Sequence, residues 1–180
     1  DAKYSYLNDN YVSGVSTVQI ANTSGFAADS FIIIGEFGDE NTEIFRIGTV
    51  NSSTGDITLK DASGNATTTK FAHPESTKVI VTSYDQIRFY WTAALGTIAD
   101  ETPTFATTTP LTSWAQITPA EWYTTYDDSD HSTGFGWVVL RNSVTLVSSQ
   151  TSNPIPYAGF SQNTVAAVFA DFDSLLNVNE

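Results

Sequence analysis

The sequence predicts a mostly β protein: a small β-barrel, then a β-sandwich-like module, then a short C-terminal α-helix. Three observations carry this. Val, Ile, Thr and Phe dominate the ordered-looking stretches, and these residues suit a pleated, half-buried surface. Short apolar runs recur between clusters of Gly, Asn, Asp and Ser that mark turns. A helical period is confined to residues 162–176. With 41% hydrophobic residues in 180, the chain has enough apolar surface for a packed core.

Residues 1–10 are polar with scattered tyrosines, Tyr4 and Tyr6 among them. They read as an N-terminal arm, which either packs on a neighbouring subunit or frays. Residues 11–91 read as the small β-barrel. Val15, Thr17, Val18 and Ile20 make a first strand, residues 22–25 a turn, and Phe26 an anchor to the core. Phe31–Ile34 is a continuous apolar run, short enough for a strand buried on both faces. Residues 42–47 alternate, with Ile44 and Arg46 opposite Phe45 and Ile47. Ile57 and Leu59 alternate with Thr58 and Lys60, and Val79, Val81, Ile87 and Phe89 complete five or six strands.

Residues 92–112 are rich in Thr and Ala and read as a linker or strand-edge connection. Pro103 and Pro110 cannot donate to a ladder, so neither fits a central strand. Residues 113–161 read as the sandwich-like module. Trp114, Ile117, Trp122, Tyr123 and Tyr126 precede a loop at 127–134. Strands follow at 135–140 and around Val144, Leu146 and Val147, with a turn-rich exit holding Pro154 and Pro156. The strand count is low for a full immunoglobulin-type sandwich. Residues 162–180 read as helix and tail. Val165, Val168, Phe169, Phe172 and Leu175 fall at helical spacings, with Asn163 or Thr164 as cap. This stripe either packs on the chain's own sheet or docks on another subunit.

Twenty acidic side chains face seven basic ones, for a net charge of −13, and after Arg88 the only base is Arg141. Such a surface repels phosphate backbones and anionic membranes, so neither is expected as a partner. The charge serves solubility, or it forms an acidic face for a basic partner or divalent cations. Without Cys there are no disulfides, thiolate metal sites or cysteine nucleophiles. The apolar run at Phe31–Ile34 is too short to span a bilayer. A chain that begins at Asp1 and contains no Met reads as a processed product.

Signals for catalysis are sparse. There are two histidines and no G-x-S-x-G elbow. His73, in Phe71-Ala72-His73-Pro74, reads as a structural turn residue, and His131 as a solvated one in an acidic loop. Asp128, Asp130 and Ser132, with Gly134 after them, resemble part of a calcium loop but lack the closing acid. A solvated acidic turn is the plainer reading. Glu36 and Glu43 can be set as a carboxylate pair for glycosidase chemistry, without other signs of a sugar cleft. Phosphate loops, zinc spacings and dinucleotide fingerprints are absent, so no cofactor and no enzyme activity are expected. Trp114, Trp122, Tyr123 and Tyr126 bunch together, either as core or as a platform for a sugar or a protein.

Two stretches carry a resemblance. The first holds Gly25-Phe26, residues 31–35, Thr42-Glu43-Ile44, Phe71-Ala72-His73 and Tyr84-Asp85-Gln86-Ile87. The second holds residues 122–127, Gly134-Phe135-Gly136, Arg141-Asn142-Ser143, residues 148–152 and Pro154-Ile155-Pro156-Tyr157. Together, over roughly residues 15–165, they resemble virion structural proteins of tailed bacteriophages encoded among head and neck genes. In that group a small β-barrel precedes a fibronectin- or immunoglobulin-like module. The resemblance implies a non-catalytic virion protein, whether capsid decoration, head–tail junction or tail component. Its partners would be capsid or tail subunits and symmetric copies of itself. Tyr4, Tyr6, Trp122, Tyr126, Phe169 and Phe172 are the expected contacts, through the arm and the helix. The alternative is a secreted or cell-surface carbohydrate-binding or adhesion module. Trp114, Trp122 and Tyr126 would then be the platform, and Asp128 and Asp130 would hold calcium.

Overall fold

The computed structural model describes residues 3–99, 102–105, 108–121 and 123–168. Every regular element among them is a strand. The first six are β1 (Tyr4–Tyr6), β2 (Thr17–Gln19), β3 (Phe31–Ile34), β4 (Glu43–Asn51), β5 (Asp56–Lys60) and β6 (Lys78–Thr82). They form one antiparallel sheet in the order β1-β6-β3-β4-β5-β2. A register shift between Ile47 and Val50 bends β4 as a bulge does. The sheet curls until its edges touch. Leu7 bridges Ile20, the Asn8 N–H donates to the Gln19 carbonyl (3.0 Å), and the Ala21 N–H to the Tyr6 carbonyl (2.9 Å).

The period of two decides what fills the curl. Val18, Ile32, Ile34, Ile47, Ile57 and Val79 turn inward and are fully buried, joined by Leu7 and Phe26. Each such side chain contributes roughly 2 kcal/mol by leaving water. Phe31 and Ile33 point the other way and are buried too, as a continuous apolar run requires.

The second unit begins three residues after β6. Its strands are β7 (Gln86–Thr92), β8 (Leu95–Ala99), β9 (Thr102–Phe105), β10 (Thr109–Pro110) and β11 (Ala115–Gln116). They continue with β12 (Tyr123–Asp128), β13 (Phe135–Arg141), β14 (Ile155–Pro156) and β15 (Asn163–Val168). The β7–β13 ladder is its spine, running from Thr92↔Phe135 to Gln86↔Arg141. β10 and β11 flank β7, and β14 flanks β13. β8 and β9 pair as a hairpin. β12 and β15 pair as a second layer, and Tyr126, Val165 and Ala167 pack with Ile87, Phe89 and Leu140 in a separate core. Glycine is required where the layers meet: a Cβ on Gly136 would collide with Val165 and Tyr157.

The mostly β class is as expected, with four departures in detail. The expected arm is built into the sheet: Ser5 turns inward, its hydroxyl accepting the Asn22 N–H (2.8 Å), and Leu7 is 2% exposed. Ile87 and Phe89 lie on β7 and serve the second core, not the barrel; a short apolar strand does not announce its partner. The segment 92–112 contributes the β8–β9 hairpin and the edge strand β10, where Pro110 needs no ladder donor. The expected helix at 162–176 is wrong where it is described. Residues 163–167 alternate buried and exposed, and β12 offers β15 a full six-residue ladder, which overrides the 3–4 spacing. The rest of that helix, with Phe169 and Phe172, lies outside the described residues.

Candidate functional site

The polar residues suited to chemistry sit in three buried clusters, and each fastens a loop. The first lies inside the barrel. Glu43 opens β4 and shares the inward face of Ile34 and Val79, its cross-strand neighbours. Its carboxylate accepts the Lys70 N–H (2.9 Å to Oε1), the Phe71 N–H (3.2 Å) and the His73 ring, whose Nε2 lies 3.0 Å from Oε2. Both side chains are buried. His73 is therefore a structural histidine, as read from its turn. Glu36 is exposed, so the two glutamates do not share a cleft.

The second cluster closes the sandwich. Asp128, at the end of β12, is 1% exposed. Its Oδ2 accepts the Tyr157 hydroxyl (2.8 Å), and its Oδ1 accepts the Asp130 N–H (3.0 Å). The His131 Nδ1 lies 2.8 Å from Oδ2. Burial raises the Asp128 pKa, but the bonds from Tyr157, His131 and Asp130 outweigh it and hold the carboxyl below its ordinary range. Burial, reinforced by Asp128, pushes the Tyr157 phenol up. His131 also stacks on Trp91, with ring centroids 3.9 Å apart, and its carbonyl accepts the Asn163 amide (3.1 Å). His131 is thus a half-buried latch, where the sequence suggested a solvated residue.

This geometry bears on two expectations. Asp128 spends both oxygens internally, and among the described residues no three acidic or histidine side chains converge on a metal-sized site. Of the calcium set, Asp128 is buried in these bonds, while Asp130 and Ser132 are exposed. The imidazole–carboxylate pair matches the base and orienter of a hydrolytic triad. Here the pair fastens the 128–134 loop to the end of β12.

The third cluster pins the junction of the two units. Asp85 is fully buried; its Oδ1 accepts the Ser143 N–H (2.7 Å), and its backbone bonds Ile117 and Arg141. Among the described residues its Oδ2 and the Ser143 hydroxyl make no hydrogen bond of good geometry, and burial raises the pKa against the smaller, opposing pull of Ser143 and Gln116. A raised folded-state pKa means stability that is present in acid and is lost as pH rises through that pKa. Asp85→Asn removes the titration and supplies a donor for Ser143. It is expected to raise stability by about 1 kcal/mol at pH 7, with the gain vanishing below the ordinary carboxylate range. Urea titrations at neutral and acid pH check this.

The aromatic expectations divide. Tyr4 and Tyr6 are 53% and 43% exposed and meet edge-on at 5.7 Å, with the Lys78 ammonium 5.5 Å from the Tyr4 ring. Tyr126 packs into the sandwich core beside Phe89. Tyr123 is exposed. Trp122 lies outside the described residues. Trp114 is capped by Arg141, whose guanidinium sits 4.3 Å from the ring, with Arg88 at 5.7 Å. That ring face is engaged by cations of the chain itself. A recess lined by Ile87, Phe89, Ile117 and Tyr126 holds about 220 Å³, and a more open one at Glu121, Tyr123 and Thr125 about 520 Å³. Sequence reasoning named Asp85, Tyr157 and Asn163 but gave none of them its place in these clusters, because a lone Asp, Tyr or Asn carries no spacing signal.

Comparison with family models, with curated proteins and with solved structures found no match.

Proposed function

We propose that this chain is a non-catalytic structural protein of a virion and works by protein–protein assembly. The observation that carries the assembly reading is a division of labour. Glu43, His73, Asp128 and His131 are turned inward to hold loops, whereas large apolar and aromatic side chains such as Tyr4, Tyr6, Leu146 and Phe160 face solvent. Exposed aromatics on rigid strands are the usual anchors of protein contacts. Weak contacts of this kind become strong when many copies are arrayed. The virion part of the proposal rests on the resemblance of the two stretches described above, and its partners there are capsid or tail subunits and further copies. The carbohydrate-binding alternative is weakened by Arg141 over Trp114.

The test is mass spectrometry of gradient-purified particles, followed by imaging of the assembled state. The expected result is this chain in fixed stoichiometry and at symmetric positions. A chain that never co-purifies with particles overturns the proposal.

A further inference from the structure

From Asn142 to Ala170 the sequence contains no Asp, Glu, Lys, Arg or His, although the chain as a whole carries −13. The same stretch holds five of the ten exposed large hydrophobic residues among those described: Val144, Leu146, Val147, Ile155 and Phe160, at 36, 64, 51, 40 and 68% exposure. Val144, Leu146 and Val147 lie in the turn that leads into one sheet edge, Ile155 lies on that edge, and Phe160 follows it in sequence. The segment runs antiparallel beside β13, with Ser149 N–H to the Leu140 carbonyl (2.9 Å), Ser152 to Val138 (3.0 Å) and Tyr157 to Gly134 (2.8 Å).

The tip of this edge is rigidly built. The Asn142 carboxamide oxygen accepts the N–H groups of Val144 and Thr145 (both 3.0 Å), and its NH2 donates to the Ser83 carbonyl (2.9 Å). The Leu146 N–H closes the turn on the Asn142 carbonyl (2.9 Å). Leu146 itself sits at φ +60°, a conformation that Gly or Asn ordinarily takes. Leu146 is thus held 64% exposed by a turn that its own hydrogen bonds pin.

We propose that this neutral edge, residues 142–160, is the face through which copies of this chain associate; the inference rests on the assembly reading. Charge selects the occupant. Two chains of −13 repel wherever their acidic surfaces approach. They can meet without burying carboxylates along a segment that carries none. A basic partner would choose the acidic surfaces instead. Pro154 and Pro156 break the donor row along this edge, so the contact is made by side-chain packing and not by strand addition.

Sedimentation velocity of the 180-residue chain over a concentration series, at low salt and at roughly 0.5 M salt, tests this. The expected result is self-association that strengthens as salt screens the repulsion. Leu146→Asp combined with Phe160→Asp should weaken it by tenfold or more. Leu146→Asn should weaken it while keeping the thermal midpoint, because Asn accepts the left-handed φ. Tyr4→Ala with Tyr6→Ala should leave it intact. A wild-type chain that stays monomeric in both salts overturns the inference, as does an edge variant that associates like wild type. The two readings fail separately. Association through this edge in a chain absent from particles sinks the virion proposal alone. Normal incorporation of the edge variants into particles sinks the edge alone.

Discussion

Glu43→Ala is expected to lower stability by about 3–4 kcal/mol, the largest effect of any single polar change in the barrel. The magnitude follows from what is left behind. The carboxylate receives two backbone N–H groups, from Lys70 and Phe71, and the buried His73 ring. Truncation leaves the buried His73 ring and two part-buried N–H groups without their acceptor, around a small void. The 70–73 segment would then lose its tether, and with it the paired bonds between His73 and Tyr11, both 2.8 Å. Glu43→Gln should cost less, because one acceptor oxygen remains, but its NH2 faces donors it cannot satisfy. Urea unfolding followed by Trp fluorescence measures both. A loss under about 1 kcal/mol for the alanine variant would show that the carboxylate does not hold the loop. His73→Ala should add little to Glu43→Ala, since the two act as a unit.

Asp128→Ala is the counterpart in the sandwich, with an expected loss of about 3 kcal/mol at pH 7. Three partners converge on this side chain, and one of them, Tyr157, reaches it from the residue just after β14, 29 positions along the chain. The loss should depend on pH. The folded-state pKa of Asp128 lies below the ordinary carboxylate value, so its contribution is present above that value and disappears as pH falls through the folded-state pKa. Thermal midpoints of wild type and variant should therefore converge in strong acid and separate above the ordinary carboxylate range. A gap that stays constant with pH would mean that the aspartate acts by packing, not by charge.

The strands were legible in the sequence wherever one face is apolar. Ile57 and Leu59 alternate with polar neighbours, and Phe31–Ile34 runs unbroken; burial follows both patterns. What stayed hidden was partnership. Tyr4 and Tyr6 face water, so β1 looks like a polar tail until Ser5 and Leu7 are seen turned inward. Asn163 to Val168 satisfies a helical period and a strand period at once, and only the ladder with β12 decides. The latch of Asp128, His131 and Tyr157 joins residues 29 positions apart. The acidic loop showed where it would sit, but Tyr157 gave no local sign. Leu146 was read as a strand residue, because an apolar side chain says nothing about φ.

The closure of the barrel by β1 has a consequence for how the chain reaches this structure. Tyr4 pairs with Ile80, and the Leu7 N–H bonds the Thr77 carbonyl, so the first strand finds its ladder only after some seventy further residues exist. During synthesis, at the usual 5–20 residues per second, it waits several seconds beside an open sheet. Such long-range closure is the slow step of β folding. The Leu7–Ile20 bridge is the nearer contact, and it can hold the strand in place meanwhile. The final stitch of the barrel is thus made by the strand that is synthesised before the other five.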